Sequence, residues 1–185
     1  DPKDATSVEY APRRNRHEKT VIGIPKEWMT GGGMDDDVRS VVTKARQTLA
    51  MAGYDVQEIS LPHAPYALAV YYIIVPAEVS ANLARCDGMR YGLSKEGANV
   101  AEGYFKTRGA GFGAEVRRRI VLGTYVLSAG YYDAYYLRAS RVRRLIRQDF
   151  ENAFGEVDCI LAPVSPRPAF KIGEKIDDPL AMYLE

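Results

Sequence analysis

The sequence has few of the residues that most often carry metal or redox chemistry. It contains two cysteines and two histidines among 185 residues. Cys86 and Cys159 are too far apart to form a pair at metal-binding spacing, and His17 and His63 lack ligand-type neighbours at such spacing. The residues therefore predict no metal or cofactor held by this chain, and two lone cysteines are typical of a reduced, cytoplasmic setting.

Several motifs are also absent. Residues 31–33 are glycines without the Lys-Ser/Thr that completes a phosphate loop, and no GxSxG nucleophile elbow occurs. The first residues lack the apolar core of a signal peptide, and the longest charge-free run, residues 64–77, is too short to cross a membrane. The chain starts without an initiator Met, so we expect it to be an interior piece of a longer protein.

Composition is that of an ordinary globular chain. Hydrophobic residues make up 46% and charged residues 26%, with a net charge of +1. The charge is uneven, because residues 103–149 are rich in arginine and the segment after Phe150 leans acidic. A basic surface can attract anionic ligands or nucleic acid, so the arginines are the first candidates for binding.

The hydrophobic pattern predicts an α/β fold with a parallel or mixed sheet and a layer of long helices. Residues 20–24 form a short β-branched run, and residues 54–61 are predicted as a second strand. Between them, apolar residues recur at helical spacing after a capping residue at Asp35 or Asp36. Strand, helix and strand in this order favour parallel pairing. We divide this single domain fragment into a linker (1–19), a βαβ unit (20–62), a helical region (63–156), and a strand with a tail (157–185).

Three long helices are predicted in the helical region, over residues 66–84, 115–127 and 131–154. The first contains Pro76, which predicts a kink. The last has an apolar face that begins at Tyr135 and Ala139. The glycine-rich residues 85–110 are interpreted as a long loop with at most one short helix. Residues 159–162 are apolar on both faces, which predicts a central strand with Cys159 buried.

Two candidate binding positions lie on these helices. Tyr71 and Tyr72 could offer hydroxyl groups to a polar ligand, although aromatic residues in an apolar helix usually belong to the core. Arg119, the last of three consecutive arginines, is spaced to pair with Glu115 one turn earlier. Alternatively, one of these arginines could turn inward and clamp a carboxylate, and the residues alone leave both possibilities open.

A stripe of arginines on the last helix is a third candidate. A basic face could bind RNA phosphates, and a solvated helix face explains the same pattern. The stripe consists of Arg138, Arg141, Arg144 and Arg147.

Long segments of the chain resemble a known family. They include IGIPKEW, SLPHAPYALAVYYIIVPAEVSANLARCDGMRYG and GFGAEVRRRIVLGTYVLSAGYYDAYYLRA. These segments resemble the A subunits of glutamyl-tRNA(Gln) amidotransferases, within the amidase signature family. The resemblance implies a mixed sheet wrapped in helices and a Ser–Ser–Lys triad that releases ammonia from glutamine. The triad would lie before this segment, so no residue here is predicted to be catalytic.

The resemblance also implies roles for two residues. By motif position, Tyr71 and Arg119 match the family's glutamine-binding tyrosine and arginine, with Arg119 facing the α-carboxylate. A further family aspartate, for the α-ammonium group, would follow Glu185. Neither assignment follows from spacing or composition alone.

Partners and cofactors are implied in the same way. Subunits B and C would complete a glutamine-hydrolysing carbon–nitrogen ligase, with no membrane involved and with tRNA bound mainly through the partner subunit. ATP and Mg²⁺ would be used by the whole complex, and this fragment alone is not expected to be active. Two alternatives remain: a fragment of a general amidase, and an RNA- or partner-binding module that uses the arginine stripe.

Overall fold

A computed structural model describes residues 5–9, 18–30, 33–90 and 92–174. The chain forms two compact units. One, the sheet unit, comprises Asp1–Leu61 and Phe150–Glu185, and the other, the helical unit, comprises Pro62–Asp149. Most of the predicted linker and the last part of the predicted tail lie outside the described residues.

The sheet unit is built on three parallel strands within the described residues. Their order is β2-β1-β3, with Val21 of β1 opposite Asp55 of β2. All five residues of β1 are buried, as expected for an apolar strand paired on both sides. The strands are β1 (Val21–Pro25), β2 (Asp55–Ile59) and β3 (Cys159–Ile160). The predicted βαβ unit with parallel pairing is confirmed.

Two helices lie between β1 and β2. The short helix α1 (Lys26–Thr30) was not predicted, whereas α2 (Asp36–Met51) was. Asp35 caps α2, and its carboxylate accepts a hydrogen bond from the Asp37 amide at 2.9 Å. Val42, within α2, is buried.

Carboxylates in the sheet unit bind backbone amides. Asp158 Oδ2 accepts from the Val21 amide at 2.9 Å. Glu27 accepts from the Leu61 amide at 2.9 Å and from the Ser60 hydroxyl at 2.6 Å. Partial burial opposes the charge on Glu27, but these hydrogen bonds outweigh it and hold the pKa of Glu27 below its ordinary value. These contacts join the ends of distant segments.

The prediction of a central strand at residues 159–162 is wrong. β3 has two residues, pairs with β1 alone among the described strands, and leaves Cys159 exposed. An apolar pattern indicates that a strand is suited to burial, but it does not say which strand occupies the middle of the sheet. Here β1 takes that position because it pairs on both sides.

The predicted helices of the helical unit are confirmed. The first follows a 3₁₀ turn at Ala64–Tyr66, and the last follows a π-helical turn at Tyr132–Leu137. The last helix continues into residues that belong to the sheet unit. The helices are α3 (Ala67–Leu83), α4 (Val100–Gly111), α5 (Ala114–Leu127) and α6 (Arg138–Glu156).

Helix α4 is the one helix that the prediction for residues 85–110 allowed, but it is longer than the short helix expected there. Asn99 Oδ1 accepts from the Glu102 amide at 3.0 Å, and Glu102 Oε2 accepts from the Ala98 amide at 2.6 Å. This reciprocal cap satisfies amides at the start of the helix, and it offsets the poor helix propensity of Gly103 and Gly109. The Asn-x-x-Glu spacing was the available signal in the sequence.

The core of the helical unit lies between α3 and α6. Val70, Ile74 and Ala139 are buried together, and Tyr136 packs against them. The prediction that Tyr135 begins the apolar face is wrong, because Tyr135 is exposed. The π-helical turn has more residues per turn than an α-helix, so it brings Tyr136 toward the core instead.

Asp149 on α6 is buried and ionisable, and the turn before α3 supplies its partners. His63 donates its backbone amide to Asp149 Oδ2 at 2.7 Å, and its Nδ1 lies 2.9 Å from Oδ1. A buried carboxylate is costly unless it is hydrogen-bonded. The pair therefore fixes this turn against α6.

The stretch Ala64–Leu83 has the length and mean hydropathy, 1.3, of a membrane-spanning helix. By length and composition alone this is weak evidence, because core helices of soluble proteins pass the same test. Val70, Ile74 and Ala77 of α3 are buried within the helical unit.

Candidate functional site

Helices α3 and α5 approach each other at the level of their backbones. A Cβ atom on Gly123 would lie 1.9 Å from the carbonyl oxygen of Pro76. No side chain fits there, so glycine is required by the packing rather than by its backbone angles. Helix α3 continues through Pro76. This contact sets the distance between the two helices and hence between the polar groups on either side of it.

The two predicted binding residues meet across this interface. Arg119 Nη1 on α5 donates to Tyr71 Oη on α3 at 3.2 Å. Tyr71 is 42% exposed, and the Arg119 side chain is 29% exposed. Tyr71 is therefore not a core residue, and the pair presents a phenol and a guanidinium at a surface that a small ligand can reach.

Glu115 holds Arg119 from the other side. Arg119 Nε donates to Glu115 Oε1 at 2.8 Å, which confirms the predicted pairing, and Arg118 Nη1 donates to Glu115 Oε2 at 2.6 Å. The bonds to Glu115 and then to Tyr71 raise the pKa of Arg119 above its ordinary value, against a smaller effect of burial. Arg119 therefore remains a cation at any physiological pH.

Two further polar pairs cross between helices, and neither was predicted. Tyr136 Oη donates to Glu78 Oε1 at 2.8 Å, and the hydroxyl oxygens of Ser80 and Thr124 lie 3.0 Å apart. The hydrogen bond to the Glu78 carboxylate raises the pKa of Tyr136, because only the neutral phenol can donate it. The sequence pattern gives no signal for such pairs, since their members are far apart in the chain.

Tyrosine rings near the end of α5 and in the segment after it form a cluster. The rings of Tyr125 and Tyr131 have centroids 4.4 Å apart, and those of Tyr131 and Tyr135 lie 5.8 Å apart. The hydrogen bond with Tyr131 raises the pKa of Tyr125 to about 12. All three rings remain partly exposed, so these tyrosines form an aromatic surface.

The arginine stripe on α6 is exposed at all four predicted positions, Arg138, Arg141, Arg144 and Arg147. Exposure is common to a solvated face and to an RNA-binding face. The choice between these interpretations stays open.

The chemistry available at the Tyr71–Arg119 pair is that of binding. A guanidinium can form two parallel hydrogen bonds with a carboxylate. A phenol can donate to a ligand oxygen while its own oxygen accepts from Arg119. The pair therefore suits a small ligand that carries a carboxylate.

Known proteins are similar to this chain over its whole length. The A subunit of the glutamyl-tRNA(Gln) amidotransferase of Koribacter versatilis is 55% identical over 191 residues, and that of Roseiflexus castenholzii is 56% identical over 191 residues. Both matches cover 100% of this chain but 40% and 39% of those proteins. The chain therefore spans about two fifths of the length of these relatives.

Two solved structures are also similar to this chain. The crystal structure of the A subunit of the glutamyl-tRNA(Gln) amidotransferase from Thermotoga maritima superposes with a TM-score of 0.60 and 36% identity. That match covers 89% of this chain and 31% of the solved one. A crystal structure of an amidase at 24% identity, also with a TM-score of 0.60, supports the fold alone. Because the amidase family matches residues 1–185 without a gap at either end, the chain belongs to the amidase family.

Proposed function

We propose that this chain is part of the glutamine-hydrolysing subunit of a tRNA-dependent amidotransferase, in which Tyr71 and Arg119 bind the glutamine. The observation that carries the proposal is the contact between Arg119 Nη1 and Tyr71 Oη. Two residues that are 48 positions apart meet at a ligand-accessible surface. A relative at 55% identity is named as the A subunit of a glutamyl-tRNA(Gln) amidotransferase.

Glutamine offers chemistry that matches this pair. Its α-carboxylate suits the guanidinium of Arg119, with hydrogen bonds strengthened by charge on both partners. The Tyr71 hydroxyl can donate to a glutamine oxygen next to that carboxylate. The two groups would bind and orient the substrate, and a serine outside this chain would attack its side-chain amide and release ammonia.

The chain would work within a larger assembly. Subunits B and C would be its partners, tRNA would bind mainly through the partner subunit, and the setting would be cytoplasmic. ATP and Mg²⁺ would serve activation of the tRNA-bound glutamate on a partner. The described residues contain no group of three or more His, Cys, Asp or Glu side chains placed to hold a metal ion, and we assign neither cofactor to this chain.

Glutamine binding by the 185-residue chain tests the assignment directly. Saturation-transfer NMR with L-glutamine should show binding by the wild type. Arg119→Met should weaken that binding about tenfold or more, since a charge-assisted hydrogen bond is lost. Arg141→Ala, on the exposed face of α6, is the matched control. Equal binding by wild type and Arg119→Met would contradict the proposal.

Activity supplies a second test. The chain alone should release no ammonia from glutamine, because the proposed serine nucleophile lies outside it. Serine-dependent glutaminase activity of the isolated chain would show that this division of labour is wrong.

A further inference from the structure

Glu115 occupies an unusual position beside the proposed glutamine site. Its two carboxylate oxygens bind two different arginines of the same helix, Oε1 with Arg119 Nε at 2.8 Å and Oε2 with Arg118 Nη1 at 2.6 Å. A carboxylate that accepts hydrogen bonds on both oxygens has little freedom to rotate. Glu115 is therefore a fixed support one helical turn before Arg119.

The guanidinium of Arg119 is held from two helices at once. Glu115 on α5 binds its Nε, and Tyr71 on α3 contacts its Nη1 at 3.2 Å. A single hydrogen bond leaves the planar guanidinium able to rotate about that bond. Hydrogen bonds at two different nitrogens fix the orientation of its plane. Arginine is flexible along its stem, and ordering it during ligand binding costs affinity.

We propose that Glu115 is a positioning residue that fixes the plane of the Arg119 guanidinium for the carboxylate of an amino-acid substrate. This inference rests on the proposed function, because it assumes that Arg119 binds that carboxylate. The local charge is compatible with it, since the two arginines outweigh the single carboxylate of Glu115.

The same geometry allows an opposite role, which experiment can separate from the first. Glu115 is itself a carboxylate on Arg119, so it could compete with the substrate. Removing a competitor would tighten glutamine binding, whereas removing a positioning residue would loosen it. The sign of the change therefore decides between the two.

The test uses the 185-residue chain and two ligands, L-glutamine and L-glutaminamide, which lacks the α-carboxylate. We expect Glu115→Gln to weaken glutamine binding about tenfold and to change glutaminamide binding by less than about twofold. Glu115→Asp keeps the charge and should bind glutamine more tightly than Glu115→Gln. NMR titration measures all affinities, and circular dichroism checks that each variant is folded.

Arg141→Ala is the control, because it removes an exposed arginine from α6 and leaves Arg118, Glu115 and Arg119 in place. It should keep the wild-type preference for glutamine over glutaminamide. The inference is overturned if Glu115→Gln tightens glutamine binding, if both ligands weaken equally, or if Arg141→Ala reproduces the effect. A wild-type chain that does not distinguish the two ligands overturns the proposed function, and this inference falls with it.

Discussion

Two sets of polar side chains, one in the sheet unit and one in the helical unit, make different kinds of contact. In the sheet unit, Asp158 and Glu27 accept hydrogen bonds from backbone amides of distant segments. In the helical unit, Tyr71 and Arg119 bind each other across two helices at partly exposed positions. A buried amide without a partner is costly, whereas an exposed side-chain pair contributes little to stability.

This difference indicates where to look for function. The contacts of Asp158 and Glu27 are explained by folding, because they satisfy donors that the chain itself creates. The Tyr71–Arg119 contact has no such explanation, since the backbone packing of Gly123 against Pro76 already joins the two helices. A polar pair that the fold does not need is the better candidate for a binding site.

The largest expected loss of stability is in the sheet unit. Leu61 is fully buried, and Leu61→Ala should lower the free energy of unfolding by about 3 kcal/mol through lost burial and a residual cavity. Urea denaturation measures the change. The same substitution at exposed Leu122 is the control, and similar costs at both positions would remove the contrast between core and surface.

In the helical unit, the largest loss of stability is expected where the backbones of α3 and α5 meet. Gly123→Ala places a methyl group against the Pro76 carbonyl and should cost about 2 kcal/mol. Gly155→Ala is the control, because its Cβ would meet nothing within 4 Å. That change should stabilise α6 by about 0.5 kcal/mol. A Gly123→Ala variant with unchanged stability would show that side chains, and not backbones, set the distance between α3 and α5.

Asp158 and Tyr71 allow the most direct comparison between a polar contact that supports the fold and one proposed to bind a ligand. Asp158→Ala leaves the buried Val21 amide without its carboxylate partner and should cost about 1.5 kcal/mol. Tyr71→Phe should change stability by less than about 0.5 kcal/mol while weakening glutamine binding. Thermal unfolding and NMR titration measure the two effects, and a Tyr71→Phe variant that loses stability but keeps its affinity would reverse the assignment.

Acid should act on the sheet unit through Glu27. Its pKa is lowered from the ordinary value of 4.5, so the folded state favours the carboxylate. Its stabilising contribution is present above pH 4.5 and disappears as the pH falls through the lower, folded-state value. Urea midpoints measured from neutral pH down to about pH 3 should fall less in Glu27→Gln than in the wild type. Parallel curves would show that other groups control acid unfolding.

Much of the fold could be predicted because local patterns determine it. The run at Val21 and Ile22 predicted β1, and Asp35 predicted the start of α2. The predictions were wrong or incomplete where the local sequence pattern did not determine the structure. Glycine content obscured the length of α4 although the Asn99–Glu102 cap was visible, and a π-helical turn altered the face on which Tyr135 lies.

The candidate site could be predicted only in part. Arg119 and Glu115 are one helical turn apart, so their contact follows from spacing. The meeting of Tyr71 with Arg119 depends on how α3 and α5 pack, which no local pattern specifies. The resemblance to a family singled out both residues, and their glutamine-binding role remains a prediction.

The π-helical turn at Tyr132–Leu137 has a consequence for anyone who works with this segment in isolation. A synthetic peptide or a grafted copy that relaxed into a regular α-helix would lose the wider turn. The side chains before the turn would then be rotated about the helix axis relative to those after it. The phenol rings and the apolar residues would face in different directions. Sequence identity alone would therefore not transplant this surface into another scaffold.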